Sequence, residues 1–169
     1  MDYKTLVSRP LSELEDLLAR SPAPPAESLA GYEFRGYNVL RYCSLLGIRK
    51  FIKGFFSTPN TLEGYNIPVR QNGFDAPWIH KPDADNPHRF GFFTLGKDGV
   101  YPHSWLLDYG ASPRNAAWRP ERVLRDYLVV PFKDNPNIML GKAYLALGAR
   151  VPAGYFVLER LRKTDWKPE

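Results

Sequence analysis

The chain has 169 residues, 44% hydrophobic and 24% charged, with a net charge of +5 and a sequence pI near 9.3. Those values fit one globular domain and exclude a disordered chain, and the longest apolar runs fall far short of the ~20 residues of a spanning helix. One cysteine, Cys43, excludes an internal disulfide and a cysteine-based zinc cage.

The first predicted element is a helix in SRPLSELEDLLAR, where Leu11, Leu14, Leu17 and Leu18 fall on one face and Ser12 with Glu15 forms a capping-box pattern. It ends near Arg20, and the proline-rich SPAPPAESLA reads as an extended connector. GYEFRGY reads as a barrel-opening strand: Gly31 and Gly36 allow close approach and bending, Phe34 plugs one end against the last strand, and Arg35 points outward. VLRYCSLLG, Val39 to Gly47, reads as a second short helix stopped by Gly47. From Ile48 onward the pattern is strands near RKFIKGFF, EGYNIPVRQ, HRFGFFTL, SWLLDYG, ERVLRDYLVV, NIMLGKAYLAL and AGYFVLERLR. TPN, NGFDAP, GKDG, DNPN and GARVP supply the turns between them, with DNPN as the clearest hairpin.

With GYEFRGY the strands number eight. No crossover helices separate the later strands, so the sheet should be antiparallel. The expected fold is mainly β: one domain forming an antiparallel up-and-down β-barrel, lipocalin-like, with an N-terminal helix and a second short helix. Its divisions are a helical and proline-rich lead-in over 1–30, a barrel over 31–162 and a polar tail over 163–169. An open sandwich is the rival architecture.

This layout is similar to the calycin group, the lipocalins and fatty-acid-binding proteins. Lipocalins carry a Gly-x-Trp at the start of the first strand and a basic residue on the last strand over the tryptophan. Gly31-Tyr32-Glu33-Phe34 stands in that position, with Phe34 or Tyr32 for the tryptophan and Arg160 or Arg162 as the basic partner. The outline also resembles uncharacterised bacterial GXWXG-type domain proteins. The residues carrying that likeness are SELEDLLAR, PAPPAESLAG, Gly31 with Phe34-Arg35-Gly36, and Leu107-Asp108-Tyr109-Gly110. Both resemblances imply a barrel; the calycin one implies a small hydrophobic ligand held inside it.

In Arg125-Asp126-Tyr127 a strand sends Arg125 and Tyr127 to the same face, similar to the Arg-x-Tyr pair with which fatty-acid-binding proteins hold a carboxylate. The other reading is a solvent-facing arginine beside an amphipathic tyrosine. Tyr144, Arg70 and Trp105 are further candidate ligand contacts, although Tyr144 and Arg70 could equally face outward and Trp105 suits the core better than the ligand wall. Asp108 lies in an apolar strand, so it either bonds an arginine such as Arg125 or serves as an acid or base. His103 is the other candidate acid or base, although five residues from Asp108 it faces the opposite way in a strand. No serine elbow, phosphate loop or histidine metal spacing is present, so no cofactor and no metal is expected.

Basic residues are scattered and stand beside acids, which argues against nucleic acid. Arg41, Arg49, Lys50 and Lys53, mixed with apolar residues, suggest a portal touching an anionic membrane during ligand uptake, or a helix packed over a barrel end. The N-terminus lacks the apolar core of a signal peptide, which points to a cytoplasmic address. The expected function is sequestration of a small hydrophobic ligand, such as a fatty acid or other acidic lipid. The alternatives are an isomerase- or hydrolase-type enzyme acting on a hydrophobic carbonyl compound in the same cavity, and an interaction module with a filled barrel.

Overall fold

A computed structural model of the chain describes residues 2–82 and 85–169; Met1, the first residue of the expected lead-in, lies outside them. Eight antiparallel strands close into an up-and-down barrel in chain order: β1 Tyr32–Asn38, β2 Lys50–Ser57, β3 Leu62–Pro68, β4 Phe90–Gly96, β5 Trp105–Asp108, β6 Leu124–Val129, β7 Ile138–Leu147 and β8 Ala149–Lys163. Closure comes from β8 pairing back on β1, with Phe34 opposite Arg160 and Asn38 opposite Phe156. The strands fall near their runs of aromatic and β-branched residues, except that β8 begins at Ala149: all of the expected GARVP turn but Gly148 pairs with β7. The closed ladder excludes the sandwich.

The helices differ more from expectation. They are α1 Tyr3–Val7, α2 Leu11–Arg20, α3 Ala26–Leu29 and α4 Tyr42–Leu45. In α2 the N-cap is Pro10, which makes no side-chain cap, so Ser12 lies within the first turn and the capping box does not form. Its Glu15 turns instead to the barrel wall, 2.6 Å from Lys142 Nζ and 2.9 Å from Tyr101 Oη. The second helix is shorter than Val39 to Gly47 because the sheet extends into it: Asn38 N–H donates to Arg49 O and Val39 N–H to Tyr155 O. The short α1 was not anticipated; Asp2 accepts from the Thr5 N–H at its start.

Strand alternation divides most of the buried apolar residues into two cores, beside a smaller outer cluster of Leu106, Tyr127 and Tyr144. Inside the barrel lie Phe34, Phe55, Phe93, Leu107, Leu128, Met139 and Leu158, all essentially inaccessible. A second layer packs on the outer wall, where Ile52, Tyr65, Ile67, Val129, Leu140 and Val157 meet Leu6, Leu14 and Leu18 of α1 and α2. The C-terminal segment joins this layer: Trp166 stacks 6.3 Å from Phe92 and 4.7 Å edge-on from Tyr65, so the expected polar tail includes a hydrophobic clasp.

One end of the barrel is shut. Phe34 sits edge-on to Phe55 at 5.6 Å, Phe55 to Phe93 at 5.5 Å, and Leu29 of α3 is fully buried beneath them. The Arg160 guanidinium lies 4.1 Å from the Tyr32 ring centroid and 5.9 Å from that of Phe34, and donates to Ser28 O. Phe34 thus closes this end against β8, and Arg35 points outward over Tyr3 and Trp78, as the opening strand suggested. Among the described residues no helix is long and apolar enough to cross a membrane.

Candidate functional site

Above the aromatic plug the barrel is not filled. A cavity of about 410 Å³ runs from mid-barrel to the other end, walled by Phe51, Phe90, Leu124, Ala143, Leu145 and Phe156 and reaching Tyr42, Leu46 and Ile48 at the rim. Two glycines keep the wall thin. An added Cβ on Gly36 would come within 2.3 Å of the Phe51 ring, and one on Gly141 within 2.1 Å of the Phe156 ring. The rim is apolar and exposed: Leu45, Leu46 and Ile48 of the β1–β2 connection stand 90%, 64% and 48% accessible.

The floor is polar. Lys53 reaches inward from β2 and donates to Tyr109 Oη at 2.6 Å and to Asp126 Oδ2 at 3.3 Å. Tyr109, just past the end of β5, donates to the same Asp126 oxygen at 2.9 Å. Asn66 on β3 donates to Tyr109 Oη at 3.3 Å and to Gly91 O at 2.9 Å. Gly91 has φ +54, and the β3–β4 register shifts between Gly64 and Asn66, which turns this carbonyl to the cluster. All four side chains border the cavity.

Around the ammonium stand the rings of Phe93 at 4.6 Å, Phe156 at 5.4 Å and Phe51 at 5.7 Å. Burial pushes the Lys53 pKa down, against the pull of Asp126. Burial likewise pushes Asp126 up, against Lys53 and Tyr109, and holds the Tyr109 phenol well above its ordinary value. Burial thus acts on both members of the pair in the direction of neutrality, while their mutual attraction acts against it. Chemically the floor offers an amine, a carboxyl and a phenol that accepts from one and donates to the other.

The residues singled out from sequence lie elsewhere. Arg125 and Tyr127 do share a face, but it is the outer one. Arg125 pairs with Asp108 at 3.1 Å, while Tyr127 donates to Asp98 at 2.8 Å and accepts from Arg150. Tyr144 is also outside, 3.0 Å from Tyr101 Oη. Arg70 is exposed beyond the end of β3, its backbone N–H on Ile79 O. Trp105 packs against the closed-end core and donates to Pro24 O at 2.7 Å. None of these five borders the cavity. Asp108 takes the arginine-bonding role and also accepts from the N–H groups of Gly110 and Ala111. His103 Nε2 is engaged with Leu18 O of α2 at 2.8 Å, well away from the interior floor.

The basic portal also needs correction. Lys50 and Lys53 are 2% and 1% accessible, so neither can meet a membrane surface, whereas Arg41 is exposed beside the rim. The signal that sequence reading passed over was parity. Asp126 alternates with Leu124 and Leu128, and Lys53 with Phe51 and Phe55, which are inward positions. That parity was unreadable in isolation because the outer positions Tyr127, Val129, Ile52 and Phe56 are as apolar as the inner ones.

The chain matches no protein-family model, no curated protein and no solved structure.

Proposed function

We propose that the protein binds a small hydrophobic molecule in the barrel, with a neutral polar head at the Lys53–Tyr109–Asp126 floor. The observation that carries this reading is the combination in one cavity of aromatic and aliphatic walls, an exposed apolar rim and a hydrogen-bonding floor. Desolvation of the chain by the walls supplies affinity, and the floor fixes which end enters first.

The charge balance favours a neutral head over a fatty-acid carboxylate. The Lys53 charge is already matched by Asp126, and the rim carries a further carboxylate, Glu121, itself paired with Arg119 at 2.7 Å. Lys50 touches the rim, but its ammonium is committed to the carbonyls of Gly73 and Ala76. A carboxylate would enter without an unmatched cation to receive it. The up-and-down topology and the Arg160 guanidinium over Tyr32 support the resemblance to the calycin barrels, whose ligands occupy the same place.

The test uses the neutral fluorophore N-phenyl-1-naphthylamine. Its emission should rise saturably at one molecule per chain, fall on addition of 1-nonanol, respond little to nonanoate, and be lost in Ala143→Phe, which fills the bore. Nonanoate displacing as well as nonanol would replace the neutral-head reading with the fatty-acid one. Absence of saturable uptake by folded protein would remove the binding reading altogether.

A further inference from the structure

We infer that Lys53 captures apolar aldehydes covalently, as an imine held inside the barrel. This rests on the cavity being a binding site, and deepens that reading by naming the ligand class and the bond formed.

Geometry sets Lys53 apart from the other lysines. An ammonium has three donors, and Lys53 spends two, on Tyr109 and Asp126, at the floor of a cavity whose opening is apolar. Lys50, also buried, is surrounded by Asn72 Oδ1 and the carbonyls of Gly73, Ala76 and Pro77, so its nitrogen has no open approach. Lys142 is tied to Glu15 on the outer wall. Among the buried lysines of the described residues, Lys53 is the one whose nitrogen stands at the cavity floor, where a carbonyl carbon can arrive with its alkyl chain trailing toward the rim.

The neighbours complete the proton balance. Lys53 gives one proton to Asp126, directly or through Tyr109 Oη, leaving a free amine beside a protonated carboxyl. The nitrogen lone pair attacks the carbonyl carbon, the C=O π pair moves to oxygen, and a proton from nitrogen follows to give a neutral carbinolamine. Asp126 then protonates the hydroxyl, which leaves as water while the nitrogen lone pair forms C=N. The product is an iminium ion paired with the Asp126 carboxylate: one aldehyde enters, one water leaves, and net charge is unchanged. Burial acts in the same direction, since it lowers the cost of the free amine, and the rings of Phe51, Phe93 and Phe156 stand around the nitrogen that would carry the imine.

The experiment treats the full chain with one equivalent of nonanal and sodium cyanoborohydride at neutral pH and maps the alkyl adduct by peptide mass spectrometry. The adduct is expected on Lys53 ahead of the exposed Lys4, Lys97 and Lys133. Pre-incubation with 1-nonanol should protect it, and Tyr109→Phe should slow its formation at least about tenfold. An adduct confined to exposed lysines, while 1-nonanol still displaces the naphthylamine fluorophore, would overturn the imine and leave the binding reading standing. Loss of both adduct and displacement would remove the two together. Because the site is read in the native chain, the result does not depend on whether Lys53→Met folds.

Discussion

Lys50 and Lys53 leave the same strand three residues apart and meet opposite surroundings. On the outer face, Lys50 fills a nest of loop oxygens from Asn72 to Pro77 with the Trp78 ring 3.8 Å away, so it ties the long β3–β4 connection to the wall. On the inner face, Lys53 has a phenol, a carboxylate and aromatic rings, and borders empty space. The outer lysine is explained by the loop it organises. The inner one joins β2 to β6 and to Tyr109, a link that well-packed apolar residues at both members of the pair could replace at little or no cost in stability. On the binding reading proposed above, the buried pair beside the cavity serves what enters it.

Breaking each site separately tests that contrast. The largest effect is expected for Lys53→Met, which leaves Asp126 buried without its cation and should cost about 3–5 kcal/mol in urea unfolding. Adding Asp126→Leu should restore stability to wild type or above while abolishing aldehyde capture; a double variant no more stable than the single one would mean that the pair is structural. Lys50→Met should cost less, about 1–3 kcal/mol, with no second-site rescue, and hydrogen exchange should quicken at the amides of Arg70 and Ala76 that pin the loop. Fluorophore binding should survive it.

A smaller effect is expected in the pH dependence of the inner pair. Since burial, opposed by Asp126, lowers the Lys53 pKa, the unfolded chain holds a proton that the folded one has given up between that lowered value and 10.5. Wild-type stability should accordingly rise with pH in that window relative to Lys53→Met/Asp126→Leu, as read from urea midpoints. The smallest effect concerns the third buried lysine, Lys142. Burial raises the pKa of its partner Glu15, but hydrogen bonds from Lys142, Tyr155 and Tyr101 outweigh it and leave the carboxyl below 4.5. The docking of α2 is thus fully supported above about pH 4.5 and weakens as pH falls through the folded value, and Glu15→Gln should flatten that acid limb.

The fold was legible because its signals are local. Eight runs of β-rich residues, turn residues between them and no crossover helix leave little besides an antiparallel barrel, and GYEFRGY behaved as an opening strand down to the direction of Arg35. The site was illegible because in-versus-out is a tertiary property. Where a barrel is wrapped by helices and a C-terminal clasp, both faces of β2 and β6 are apolar, and hydrophobicity no longer marks the interior. Arg125 and Tyr127 drew attention as a pair, yet the residue between them is the one turned inward. Tyr109 lies immediately past β5, where strand parity still holds although the ladder has ended.

The thin wall at Gly36 and Gly141 sets the calibre of the bore. With no Cβ beneath them, the Phe51 and Phe156 rings recline on the neighbouring strand, 5.7 and 5.4 Å from the Lys53 ammonium; a methyl at either glycine would force its ring to shift. On the binding reading proposed above, two glycine hydrogens gauge how broad a molecule passes to the floor. Gly36→Ala and Gly141→Ala should then favour straight chains over branched ones without altering any group proposed to touch the head.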